Sequence, residues 1–144
     1  MKTNIQNFIA LNIAILLLLG TSIYAETYKF PKNSEPHAKI SLGFGSTKDE
    51  VDPAVVYAID GIDIGVRDHY IALSPGKHTL LCRARFDVND YDYKIPKGQR
   101  FENTVENNTL DITVEAGKTY FIGYSLKDID IKKWKPVVFK VSEK

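Results

Sequence analysis

Cysteine is nearly missing: Cys82 is the only one in 144 residues. A lone thiol cannot close an internal disulfide, so the fold has to be held by its packed core. A charge imbalance is missing too. Lys2 is the only charged residue of the first 25, and the remaining 119 residues set 18 Lys and Arg against 18 Asp and Glu. A domain that tracks a phosphate backbone carries a basic excess, so nucleic acid is not an expected partner. His37, His69 and His78 are dispersed, with no His-x-His pair. Metal sites need several donors converging on one ion, and neither a metal nor another cofactor is expected. No stretch repeats apolar residues at helical spacing over three turns.

The first 25 residues differ from the rest. "FIALNIAILLLLG" (residues 8–20) is an apolar run about as long as a secretory h-region, and "TSIYA" ends on the small residue Ala25. The run is shorter than the roughly 20 residues that span a bilayer. We read residues 1–25 as a cleaved signal peptide, 26–37 as an irregular lead-in and 38–144 as one domain. No cysteine stands near the cleavage point to take a lipid. The expectation is a periplasmic or secreted protein with no stable membrane insertion after cleavage.

The domain reads as short strands. "AKISLGF" suits a first strand, "GSTKDEVDP" a polar loop, and strand character persists from Ala54 onward. Asp60-Gly61 lies between two apolar runs, the favoured dipeptide of a two-residue hairpin. "SPGKHTL" and "EAGKTYF" are near copies, each with a Gly at a tight position between two strands. Leu110, Ile112 and Val114 alternate with Asp111, Thr113 and Glu115, the mark of a strand with one wet face. "WKPVVFKV" supplies a closing strand with Val137, Phe139 and Val141 on one side. About seven or eight such strands predict an all-β antiparallel sandwich, with a small β-barrel as the alternative.

Catalytic patterns fail on inspection. The Gly-Lys phrases lack the upstream glycine and following helix of a phosphate loop. Ser74 and His78 straddle one turn without a Gly-x-Ser-x-Gly elbow. Arg67, Asp68, His69 and Tyr70 cluster in "RDHY", which reads more simply as a polar strand edge. "DVNDYD" begins like a calcium loop, but Tyr91, Asp92 and Gly98 stand where that loop needs other residues. Cys82 shares its strand face with Leu80 and Ala84, while Arg83 and Arg85 face away, so it reads as a buried core thiol. The chain is expected not to be an enzyme.

Contact chemistry is concentrated elsewhere. The irregular segment 87–108 carries Tyr91, Tyr93 and Arg100, with Arg85 just before it and Trp134 ahead of the last strand. Aromatic and arginine side chains make good contact surfaces for a protein or a glycan. These five are the candidate binding residues, although Trp134 equally suits a core cap.

At "VVYAIDGIDIG", "YIALSPGKHTL" and "LDITVEAGKTYFI", over about residues 54–126, the chain resembles bacterial PEGA-like domains. The matching positions are Asp60, Gly61, Gly65, Leu73, Pro75, Gly76, His78, Thr79, Val114, Ala116 and Gly117. It is also similar to uncharacterised small bacterial envelope proteins. The resemblance implies a non-catalytic extracytoplasmic β-module, adhesive or scaffolding, and transfers no binding residues. The expected function is thus an exported binding or structural module of the cell envelope, with an envelope or secreted protein or a glycan as partner. Alternatives are a periplasmic inhibitor or immunity-type protein, a small carbohydrate-binding module, or a hydrolase using His78 or His69.

Overall fold

The computed structural model describes residues 26–85, 108–128 and 130–143. Over the described residues the protein is all-β, with eight strands in one mixed sheet that is not closed into a barrel. The strands are β1 (Ala38–Ser41), β2 (Val51–Ile59), β3 (Ile62–Arg67), β4 (Tyr70–Leu73), β5 (Gly76–Ala84), β6 (Thr109–Val114), β7 (Lys118–Ser125) and β8 (Lys135–Glu143). Among the described residues the helical content is one 3₁₀ turn, Ile131–Lys133. No helix of the described residues is long and apolar enough to cross a membrane.

Pairing divides the strands into two runs, β4-β1-β7-β8 and β3-β2-β5-β6, joined through β2. The start of β2 pairs with β7, Val51 opposite Ser125 and Pro53 opposite Gly123. Its remainder pairs with β5 and β3. The strand therefore begins at Val51, three residues before the sequence suggests. Pro53 is tolerated there because it needs to offer only its carbonyl, which accepts the Arg85 N–H at 3.2 Å. β1 and β7 run parallel and the other pairs antiparallel, which makes the sheet mixed.

The two near-identical phrases mark the same event. Neither β4 with β5 nor β6 with β7 forms a pair. "SPGK" carries the chain from the first run to the second, and "EAGK" carries it back. Gly76 (φ 137°) and Gly117 (φ 80°) hold backbone angles that L side chains rarely adopt. Asp60-Gly61 is a true hairpin, with φ of 52° and 81°, the left-handed pair that a two-residue turn needs.

Two bulges decide which side chains face inward. In β2, Val56 opposes Cys82 and Ile59 opposes Leu80, so one extra residue is absorbed at Tyr57–Ala58. The bulge returns Ile59 to the core, where it is fully buried. In β8, Phe121 opposes Lys140 while Ile122 opposes Val138, leaving Phe139 as the extra residue. Val137, Phe139 and Val141 therefore do not share one buried side. Val138 packs on the core, Phe139 contacts Phe121, and Val141 is 49% exposed.

One hydrophobic cluster draws on both runs: Ile40, Ile71, Leu73 and Ile122 from the first, Val56, Ile59, Leu80, Ile112 and Val114 from the second. Each such side chain contributes roughly 1.5–3 kcal/mol by leaving water. The Tyr124 hydroxyl donates to the Cys82 carbonyl at 3.4 Å, tying β7 to β5 inside that cluster. Burial raises its phenol well above the ordinary range.

Candidate functional site

Arg85, placed by the sequence on the outward side of its strand, is half-exposed at the end of β5. Its guanidinium lies 3.6 Å from the Asp68 carboxylate. Together with Arg83, Tyr57, Val55, Val66 and Asp63 it lines an open groove of about 680 Å³ on β3, β2 and β5. Val66 projects into solvent, 70% exposed. Asn108 sits at the same place: its carbonyl accepts the Cys82 N–H at 2.7 Å and its amide lies 3.4 Å from the Tyr57 hydroxyl. The groove thus lies between the points where residues 86–107 leave and rejoin the described chain. Tyr91, Tyr93, Arg100 and the calcium-like "DVNDYD" lie outside the described residues.

Trp134 takes the core role rather than the surface one. Its relative exposure is 0%, and the indole N–H donates to the Asp128 carbonyl at 2.7 Å. The sequence offered both positions, since a single Trp before a strand carries no face information of its own. Only the 3₁₀ turn, with Lys133 N–H bonded to the Asp130 carbonyl at 3.0 Å, swings the ring inward.

The residues considered for catalysis are held in other ways. His78 Nδ1 is 2.8 Å from Asp60 Oδ2, and Nε2 is 2.8 Å from the Ser74 carbonyl, not from its hydroxyl. Asp60 also accepts the Thr79 N–H at 2.8 Å, and Thr79 in turn donates its hydroxyl to Asp111 at 2.6 Å. Partial desolvation of the Asp60 carboxyl is outweighed by the Thr79 and His78 hydrogen bonds, which hold it below the usual carboxylate range. "RDHY" splits in three directions. Arg67 lies over the Phe30 ring, Asp68 pairs with Arg85 and His69, and Tyr70 lies under Lys39. Cys82 is fully buried, and desolvation pushes its thiol up to about 12. Among the described residues no group of three or more His, Cys, Asp or Glu is placed to hold a metal ion.

A second exposed face was not legible beforehand. Across β4-β1-β7-β8 the register rows away from the core read Tyr70–Ser41–Phe121–Lys140, with Ser41 itself covered, and Ala72–Lys39–Thr119–Ser142, with Lys135 opposite Ser125 beyond them. Phe44 packs edge-on to Phe121 with centroids 6.1 Å apart, and Phe139 tilts against its other side at 6.2 Å. The Lys140 ammonium lies 5.0 Å from the Phe121 centroid and that of Lys39 lies 4.6 Å from that of Tyr70. Phe44 and Tyr70 are 58% and 64% exposed. Period-2 reading of "TYFIGYS" does place Phe121 outward, but the β8 bulge and the parallel β1 partner that complete the face are long-range facts.

Comparison with protein-family models, with curated proteins and with solved structures finds no significant match for this chain.

Proposed function

We propose that this chain is an exported, non-catalytic binding module of the bacterial envelope, acting through surface contacts in the periplasm or outside the cell. The observation that carries the reading is the Arg83–Arg85–Tyr57–Val66 groove on β3, β2 and β5. Arginine and tyrosine are among the side chains enriched where proteins bind proteins, and the exposed Val66 beside them adds apolar area. The leader-like residues 1–25 and the PEGA-like turns supply the envelope context. The two strand runs with a shared core suit the sandwich architecture of such modules. Tyr91, Tyr93 and Arg100 remain the further contact candidates that the sequence names. A periplasmic inhibitor would use the same groove, with an enzyme as the partner.

The test expresses the full coding sequence in the source bacterium and cross-links the groove through a photoreactive residue at Val66. Export predicts recovery of a chain beginning at Glu26. A partner cross-linked at one-to-one ratio and lost in Arg83→Glu/Arg85→Glu supports the reading. A retained leader with cytoplasmic recovery, or cross-links indifferent to both charge reversals, would sink it.

A further inference from the structure

The lysine-aromatic face on β4-β1-β7-β8 is separate from the groove and differs in chemistry. Its outward strand positions carry Lys39, Lys135 and Lys140 and no Asp or Glu. The chain beyond residue 25 has balanced charge, so this is local segregation rather than overall basicity. The flanking carboxylates lie off those outward positions: Glu115 and Glu143 share the Lys118 ammonium at 2.9 and 3.9 Å, and Glu35 accepts the Lys32 backbone N–H at 2.8 Å. Between the lysines stand the exposed rings of Phe44 and Tyr70 and the half-buried rings of Phe121 and Phe139.

We propose that this face seats the protein reversibly on an anionic lipid bilayer. The charge selects an anionic partner. The kind of cation then separates a membrane from a protein, because lysine is depleted at protein interfaces, where arginine is enriched. Lysine with phenylalanine is the pairing of interfacial membrane binders, in which rings enter the glycerol–acyl boundary and ammonium groups stay with the phosphates. Lys39 and Lys140 lie 4.6 and 5.0 Å from the centroids of Tyr70 and Phe121, so each cation stands beside an aromatic ring on this face. Juxtamembrane lysines act through the negative surface potential, so the attachment is salt-sensitive and each lysine is worth about a fivefold change in partitioning.

The experiment cosediments the soluble protein recovered from expressing cells with phosphatidylethanolamine vesicles containing phosphatidylglycerol, and with phosphatidylcholine vesicles. Binding to the anionic vesicles alone, reversed by high salt, is expected. Lys39→Gln and Lys140→Gln should each weaken it about fivefold. Phe44→Ser should weaken it without changing the salt dependence. Arg83→Glu/Arg85→Glu should leave it intact, which separates this proposal from the groove. Unshifted Trp134 emission in each variant shows that the fold is retained. Equal binding to both vesicle types, no binding, or indifference to the lysine substitutions overturns the proposal. So does lysine-dependent capture of a soluble acidic peptide by a protein that ignores vesicles.

Discussion

His78 reaches back 18 residues to place its Nδ1 2.8 Å from the Asp60 carboxylate, while its Nε2 meets the Ser74 carbonyl at the same distance. The imidazole thus bridges the Asp-Gly hairpin and the "SPGK" corner through its two ring nitrogens. Asp60 completes the bridge by accepting the Thr79 N–H and donating its own N–H to the Thr79 carbonyl, each at 2.8 Å. A matched histidine and aspartate in two separate turns are thus one structural unit.

Asp60→Ala should therefore lower stability by about 1–2 kcal/mol, from two lost hydrogen bonds at a partly exposed site. Asp60→Asn should cost less, because asparagine tolerates the φ of 52° and still offers an acceptor to Thr79. The pH dependence has a definite sign. A carboxyl held below its ordinary value of 3.8 contributes stability above that value and loses it as pH falls through the lowered one. Denaturant melts should show wild type ahead of Asp60→Asn near neutrality and the gap closing in strong acid. A gap that widened in acid would contradict the assignment.

Cys82 should ignore thiol reagents in the native protein. A fully buried thiol pushed up to about 12 has almost no thiolate at neutral pH. Labelling by an aromatic disulfide reagent is expected to be negligible until denaturant unfolds the chain, then stoichiometric. Fast labelling without denaturant would mean that β5 opens far more readily than its pairing implies.

Trp134 is the single tryptophan, so emission reports its site directly. A ring at 0% exposure with a bonded indole N–H predicts a blue-shifted maximum and weak quenching by acrylamide. Trp134→Phe should cost about 1–2 kcal/mol through the lost hydrogen bond and volume. Trp134→Ala should cost about 3–5 kcal/mol. Glycans should leave the emission unchanged, and direct quenching by a sugar would contradict the burial.

Gly123 and Gly61 test packing against backbone freedom. A β-carbon at Gly123 would collide with the Val51 side chain and stand 2.6 Å from the Asp52 carbonyl, where β2 joins β7. Gly123→Ala should destabilise by about 1–3 kcal/mol and loosen the join between the two strand runs. At Gly61 a β-carbon meets nothing within 4 Å, so only the φ of 81° resists it. Gly61→Ala should cost about 1 kcal/mol, and Gly61→Asn less. Thermal melts of the three variants give the order directly. Gly61→Ala proving the worst would place the constraint in the turn.

What the sequence determined by itself was local. Asp60-Gly61, Gly76 and Gly117 mark the sharp turns because their φ values are ones that few other residues accept. Alternation put Ile112 and Val114 inside with Asp111 and Thr113 outside, and it buried Cys82 while turning Arg83 and Arg85 to solvent. All-β character followed from those periods. Partners and registers were decided only by the tertiary structure. Pro53 belongs to a strand because β7 is there to pair with it, and a bulge at Phe139 separates Val137 from Val141. Trp134 is in the core because a short turn aims it there. The lysine-aromatic face arises where four strands from distant parts of the chain come into register. Turn chemistry is written within a few residues. A sheet's faces depend on which strands meet, and that choice is made by burying one common core.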